Sequence, residues 1–240
     1  MGTSLIFISG ASSGIGDALS RNLPWEPARV VGISRSKPGA ADEHVAVDLA
    51  DPATWPAVGQ AFEREVAGGE WDRVVFVHAA GNLDPIGFAR EVDADAYQAN
   101  VLLNSAAPQV LGHLFLAATE GITAPHHVVM ITSGAAKSVY PGWSSYGAAK
   151  AAVDQWVRNV GAEQDIRGGA KVIAVAPGTV DTDMQAMLRS TTDDDFPKRQ
   201  KFVDIHAEGK LADPDEVARD IWSLLDRDLD NGTVLDLRDV

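Results

Sequence analysis

Short apolar runs recur along the chain, separated by amphipathic stretches. Leu5-Ile6-Phe7-Ile8 opens the series, and comparable runs lie near 29–34, 44–48, 73–78, 127–133, 170–176 and 233–237. Unbroken apolar runs of this length, bounded by glycine or polar turns, read as strands buried on both faces. Between them apolar residues return every third or fourth position, as Leu19 and Leu23 do after the first run, which predicts helices. Strand and helix alternating throughout predicts an α/β fold: a doubly wound parallel sheet of about seven strands with helices on both faces. No internal repeat or linker interrupts the alternation. At 240 residues and 45% hydrophobic, the chain can bury one such core as a single domain, residues 1–240, without a separate substrate domain.

Charge and cysteine content narrow the function classes. The net charge of −14 speaks against nucleic acid or an anionic membrane as a partner, and ordinary solubility accounts for it. No unbroken apolar run approaches the ~20 residues of a membrane span, and Met1-Gly2-Thr3 lacks the basic start of a signal peptide. The absence of cysteine excludes a disulfide framework and fits a cytoplasmic setting. The six histidines show no metal-ligand spacing, and the adjacent His126 and His127 read as the approach to a strand, so no metal is expected. Thr191-Thr192-Asp193-Asp194-Asp195 reads as a solvated bend within a substrate lid at about 181–210.

Two stretches carry candidate chemistry. The first is Ser9-Gly10-Ala11-Ser12-Ser13-Gly14-Ile15-Gly16, set between a predicted strand and a predicted helix. In isolation it could be only a flexible turn. In that setting its glycines allow a tight turn and close backbone approach to a pyrophosphate resting on the helix N-terminus. Its spacing is Gly-x-x-x-Gly-x-Gly. About twenty positions further on, an acid would hold the ribose 2′-hydroxyl of NAD and an arginine would accommodate the 2′-phosphate of NADP. Arg35 ends the second run with Lys37 close behind and no acid at that edge, which favours NADPH. Read instead as a surface charge, Arg35 would leave the ribose to another group.

The second stretch runs from Ser133, at the end of an apolar run, to Tyr146-Gly147-Ala148-Ala149-Lys150. On a helix Tyr146 and Lys150 lie one turn apart on one face. A phenol with pKa near ~10 is a poor acid–base group at neutral pH, and a neighbouring ammonium that favours phenolate would make it useful. Ser133 stands at the sheet edge where ligands bind in open parallel α/β sheets, so its hydroxyl and the tyrosine could converge on one oxygen. This is carbonyl/alcohol chemistry.

These motifs, so spaced, resemble the short-chain dehydrogenase/reductase family, and the resemblance covers nearly the whole chain. Ser9 replaces the family's usual threonine. His78-Ala79-Ala80-Gly81 stands where Asn-Asn-Ala-Gly is usual, which leaves only the backbone role of Ala80 and Gly81. The resemblance implies a Rossmann-like fold. It implies that Ser133 holds the substrate oxygen, Tyr146 protonates it, and Lys150 tunes the tyrosine and binds the ribose. Asn100, in Tyr97-Gln98-Ala99-Asn100-Val101, matches the helix asparagine of a water-linked proton relay. For the cofactor it implies Gly10, Ser12, Ser13, Gly14, Ile15 and Gly16 around the pyrophosphate. Asp48 falls at the adenine, although a strand-end cap would explain it equally, and Pro177, Gly178, Val180 and Thr182 fall at the nicotinamide carboxamide.

Three segments, Ile131–Lys137, Gly142–Tyr146 and Asp181–Gln185, are similar to the benzil reductase and sepiapterin reductase branch, which reduces vicinal dicarbonyls on bulky, often aromatic frameworks. On that resemblance Ala135, Trp143, Met184 and Gln185 face the substrate. Met184, Met187 and Leu188 fall at i, i+3 and i+4 on a predicted helix and either wall the site or pack into the core. Asp236, in the final segment, matches the position of a pterin-anchoring aspartate, and a strand-end cap would explain it as well. The expectation is an NADPH-dependent reductase of a ketone or vicinal diketone. The alternatives are a sepiapterin or pterin side-chain reductase, an NAD-linked alcohol dehydrogenase and a non-catalytic NADP-sensing protein. The resemblance further implies a homodimer or homotetramer paired through the helices carrying Asn100 and Tyr146; Val101–Leu116 and the helix from Ala148 onward fit either such an interface or packing on the sheet.

Overall fold

The computed structural model describes residues 2–239. Seven strands, β1 (Thr3–Ser9), β2 (Ala28–Ser34), β3 (Glu43–Ala46), β4 (Trp71–His78), β5 (His126–Ile131), β6 (Lys171–Ala176) and β7 (Val234–Asp236), form one sheet in the order β3-β2-β1-β4-β5-β6-β7. Every pairing is parallel. Parallel neighbours cannot be joined by a tight hairpin, so each connection crosses a face of the sheet, mostly through a helix. The helices are α1 (Gly14–Arg21), α2 (Trp55–Ala67), α3 (Ala94–Val101), α4 (Ala107–Ala118), α5 (Ser144–Arg167), α6 (Asp183–Ser190), α7 (Arg199–Ala207) and α8 (Pro214–Ser223).

The period of two in a strand splits each apolar run between two cores. Leu5 and Phe7 join Phe62, Phe76 and Phe115 on one face, under α2, α4 and α5. Ile6 and Ile8 join Leu19, Val75, Val77, Ile221 and Trp222 on the other, under α1 and α8. Phe62 meets Phe7, Phe76 and Phe115 edge-on at 4.9, 5.1 and 5.5 Å between ring centres. A third cluster, of Leu83, Trp143, Tyr146, Leu188, Phe196 and Phe202, is separate from both sheet faces.

Two details depart from the pattern reading. Strand β5 ends at Ile131 and not at Ser133; Thr132 N still donates to Val175 O at 2.9 Å, but Ser133 has left the ladder to cap a short 3-10 turn, Gly134–Ala136. Helices α3 and α4 are joined by a π-helical turn, Leu102–Ala106, so they form one continuous run. That run, Ala94–Ala118, holds an 18-residue window of mean hydropathy 1.4 and is long and apolar enough, by length and composition alone, to cross a bilayer. Asn100, Asn104, Ser105, Gln109 and His113 break its apolar sequence, so no unbroken apolar run reaches that length. Here Ala107, Leu111 and Phe115 of α4 are fully buried on the sheet.

Candidate active site

The chain goes from β1 outward through β2 and β3, then returns to β4 on the other side of β1. Such a switch point opens a crevice beyond the carboxyl ends of the strands, and the candidate residues gather along that edge. Ser9 closes β1 fully buried, its Oγ accepting from Ala80 N at 3.2 Å and its carbonyl from Ala79 N at 3.2 Å. The glycine turn is thereby stapled to the loop after β4. Gly10 holds φ +70°, and a Cβ there would lie 2.8 Å from the Ala80 backbone; a Cβ on Gly16 would lie 2.2 Å from Gly10 O. Ser13 caps α1 in extended conformation without a side-chain cap bond. A backbone cradle with a helix N-terminus behind it fits the pyrophosphate of a dinucleotide.

Arg35 and Lys37 follow β2; Arg35 is exposed. Asp48 is exposed after β3, and its Oδ1 accepts from Ala50 N at 3.0 Å, the local cap that strand-end chemistry anticipates.

A cavity of about 170 Å³ lies further along the edge. It is lined by Ile15, Gly81, Ser133, Ala135, Trp143, Tyr146, Lys150, Pro177, Gly178, Val180, Thr182, Met184, Gln185 and Leu188, all anticipated from the sequence, and by Leu83, Tyr140, Lys201, Phe202 and Arg238, which sequence reasoning did not place there. The other candidates, Gly10, Ser12, Ser13, Gly14, Gly16, Arg35, Asp48, Ala80, Asn100 and Asp236, lie outside its lining. Leu188 is buried and both packs and lines, whereas Met187 is 37% exposed and belongs to neither wall nor core.

Helix α5 begins at Ser144, which puts Tyr146 and Lys150 in its first two turns, both buried. Burial raises the Tyr146 phenol above its ordinary value, and hydrogen bonding with the Ser133 hydroxyl pulls the other way. Lys150 is itself desolvated: its pKa falls to about 8, and its Nζ donates to Ile131 O at 2.8 Å while standing 5.7 Å from the centre of the Tyr146 ring. One turn further along the same face, Asp154 partly restores the lysine's charge and accepts from Thr132 Oγ1 at 2.5 Å. Burial holds the Asp154 carboxyl above its usual range. The spacing Tyr146, Lys150, Asp154 is a signal that could have found it.

Asn100 does not reach the cavity. Its Nδ2 donates to Asn82 O at 3.1 Å and Asp84 O at 2.6 Å, anchoring the loop after β4. Its carbonyl accepts from Nδ2 of Asn104, a fully buried residue that also bonds both backbone groups of Asn82. Asn104, four residues on and in the π turn, was legible only as a polar break in an apolar helix. His78, in place of an asparagine, is buried with both ring nitrogens unpartnered, and desolvation drops its pKa to about 3.

Asp236 is not free to anchor a ligand. Its Oδ1 accepts from Arg238 Nε at 2.8 Å and its Oδ2 from Nη2 at 2.5 Å, a fork that holds the carboxyl below its usual range. This corrects the reading of Asp236 as a substrate group: the arginine two residues on occupies it and lines the cavity itself.

Comparison with known proteins agrees with this geometry. Residues 4–193 match the model of the short chain dehydrogenase family. The chain is 33% identical over 239 residues to a benzil reductase ((S)-benzoin forming) of Bacillus subtilis, covering 98% of each chain. It is 35% identical over 115 residues to the sepiapterin reductase of Rattus norvegicus, covering 47% of this chain and 42% of that one. Among solved structures, the YIR035C short chain dehydrogenase/reductase of Saccharomyces cerevisiae superposes with a TM-score of 0.84 at 26% identity, over 98% of this chain and 96% of that one.

Proposed function

The chain belongs to the short chain dehydrogenase family, oxidoreductases acting on C=O and CH–OH groups of small molecules with a nicotinamide cofactor, and from that premise we propose that it is an NADPH-dependent reductase of ketones or vicinal diketones. The observation that carries the reading is one cavity in which Ser133, Tyr146 and Lys150 meet an apolar and aromatic wall of Leu83, Tyr140, Trp143, Met184, Leu188 and Phe202. Such a wall suits a bulky aryl carbonyl. The benzil reductase of Bacillus subtilis, similar along its whole length, supports the same substrate class. Exposed Arg35, with Lys37 behind it, supports NADPH over NADH.

When bound, the nicotinamide supplies the hydride that reduces the carbonyl carbon. The protein's own residues manage the oxygen. Ser133 Oγ donates to it and fixes its position, and Tyr146 Oη transfers its proton as negative charge grows there, giving the alcohol. The raised phenol pKa keeps that proton on Tyr146 at neutral pH until the oxygen becomes basic enough to take it. Lys150, held by Ile131 O, stands behind the tyrosine to favour the phenolate left after transfer and to hold the ribose. The carbonyl of Asn100, in the last turn of α3, would end the water-linked relay that returns the proton, sharing its lone pairs with Asn104 Nδ2. Pairing of two chains through α4 and α5 belongs to the same proposal.

Initial rates of NADPH and NADH oxidation with benzil, a small aliphatic diketone and sepiapterin test this reading. NADPH-dependent turnover of benzil or the diketone is expected, and Tyr146→Phe should lower it by roughly 10²–10⁴-fold while leaving NADPH affinity within a few-fold. Turnover that survives in Tyr146→Phe removes the tyrosine from its role. The pterin reading loses its anchor because Asp236 is engaged by Arg238.

A further inference from the structure

Among the described residues, every charged group lining the cavity is a cation: Lys150, Lys201 and Arg238. No carboxylate lines it, in a chain with 34 acidic and 20 basic residues. Lys150 is buried and assigned above to proton delivery, and Arg238 is paired with Asp236, which leaves Lys201 without a task. Lys201 comes from α7, is exposed, and makes no salt bridge among the described residues; its Nζ donates to Tyr140 Oη at 3.1 Å and stands 5.4 and 5.5 Å from the centres of the Tyr140 and Phe202 rings. Arg238 is held in place by the Asp236 fork. Its Nη2 lies 3.9 Å from where a Cβ on Gly134 would be, beside Ser133. From Tyr146 the wall runs ring to ring through Trp143 at 5.4 Å to Tyr140 at 5.0 Å, where Lys201 waits.

We propose that the natural substrate is an anionic carbonyl compound, an aryl ketone or diketone carrying a carboxylate, with Lys201 as the specificity-determining residue. An ammonium set on aromatic walls, with no acid of its own, gains more from a ligand anion than one in open solvent does. The overall charge of −14 repels such a ligand at long range, so its selection falls to the cations inside the cavity. The inference rests on the carbonyl-reductase reading above.

The test uses the whole chain with NADPH and a matched pair, 4-carboxybenzil and its methyl ester, which differ by one charge. The kcat/KM ratio of acid to ester is expected at ~10 or more, to fall at least ~10-fold in Lys201→Met and to be retained in Lys201→Arg. A ratio of one or below, or one that Lys201→Met leaves unchanged, overturns the inference. A merely structural role in holding Tyr140 would move both substrates together and leave the ratio alone. Titration of the NADPH-loaded protein with the corresponding hydroxy acid and hydroxy ester, followed by tryptophan fluorescence, reads the same preference without turnover. Equal or weaker binding of the acid likewise overturns it. If benzil and the ester are reduced and the acid is not preferred, the anionic-substrate inference falls and the reductase reading stands. If no carbonyl is reduced but the acid binds selectively, the reductase reading falls and the anion site stands.

Discussion

Lys150 shows how one residue sets the pH range of a site. Its pKa is lowered to about 8 by burial, so it carries its charge below that pH and loses it above, whereas burial moves the Tyr146 phenol upward. The first proton lost on the alkaline side is therefore the lysine's. With NADPH saturating, kcat/KM should decline through about pH 8 with the slope of a single group, and Lys150→Arg should push the decline to higher pH. A profile flat to about pH 10 would contradict this, since it would leave only the tyrosine to titrate. The residue scale is also where legibility was most uneven. Ser133, Tyr146 and Lys150 stood out because their spacing encodes a helix face and a strand end. Asp154, Asn104, Lys201 and Arg238 did not, because what matters for each is a partner: Thr132, Asn82, Tyr140 and Asp236 respectively, most of them far off in the chain. A hydrophobic pattern reports burial and is silent on partners.

At the scale of elements, α5 both presents the tyrosine and braces the far edge of the sheet. It passes the turn before β7 so closely that a Cβ on Gly161 would lie 2.2 Å from Gly232 N and 2.3 Å from its Cα. Those are backbone atoms and cannot swing aside. Gly161→Ala is expected to destabilise by about 1–3 kcal/mol, lowering Tm by roughly 2–4 °C for each kcal/mol, as thermal melting would show. It should also loosen the segment carrying Arg238. All seven strands were legible, because buried parallel strands are near-continuous apolar runs. Their ends were less so: the apolar run stops at Ile131, Thr132 N still extends the ladder to Val175 O, and the turn at Gly134–Ala136 draws Ser133 out of it. The π turn at Leu102–Ala106 has no periodicity of its own and shows only as Asn104 amid apolar neighbours.

For the molecule as a whole, two histidines couple the fold to pH. His78 and His127 are neutral when folded, their pKa values lowered from 6.5 to about 3 and about 4, in both cases chiefly by desolvation. The unfolded chain therefore binds more protons between those values and 6.5, and stability falls as pH falls through that window. Each contributes up to about 1.4 kcal/mol per pH unit. Urea unfolding at a series of pH values should show this loss beginning near pH 6.5, and His78→Asn should make the decline shallower. An unchanged slope in that variant would mean that His78 finds a proton-bearing partner in the fold. At this scale the fold class was readable from alternation alone, but not the strand order, which depends on which side of β1 each crossover lands.

The two strands at the margins of the sheet, β3 with four residues and β7 with three, are its shortest, while the five between them have six to eight. Unpaired backbone groups along a sheet margin are a template on which another chain can add itself, and the hazard grows with the length of the margin. Tapering both margins to less than a typical strand leaves little to build on. A chain whose interior is a row of Val- and Ile-rich segments, each prone to self-association if exposed, thus keeps them where no second molecule can extend the ladder.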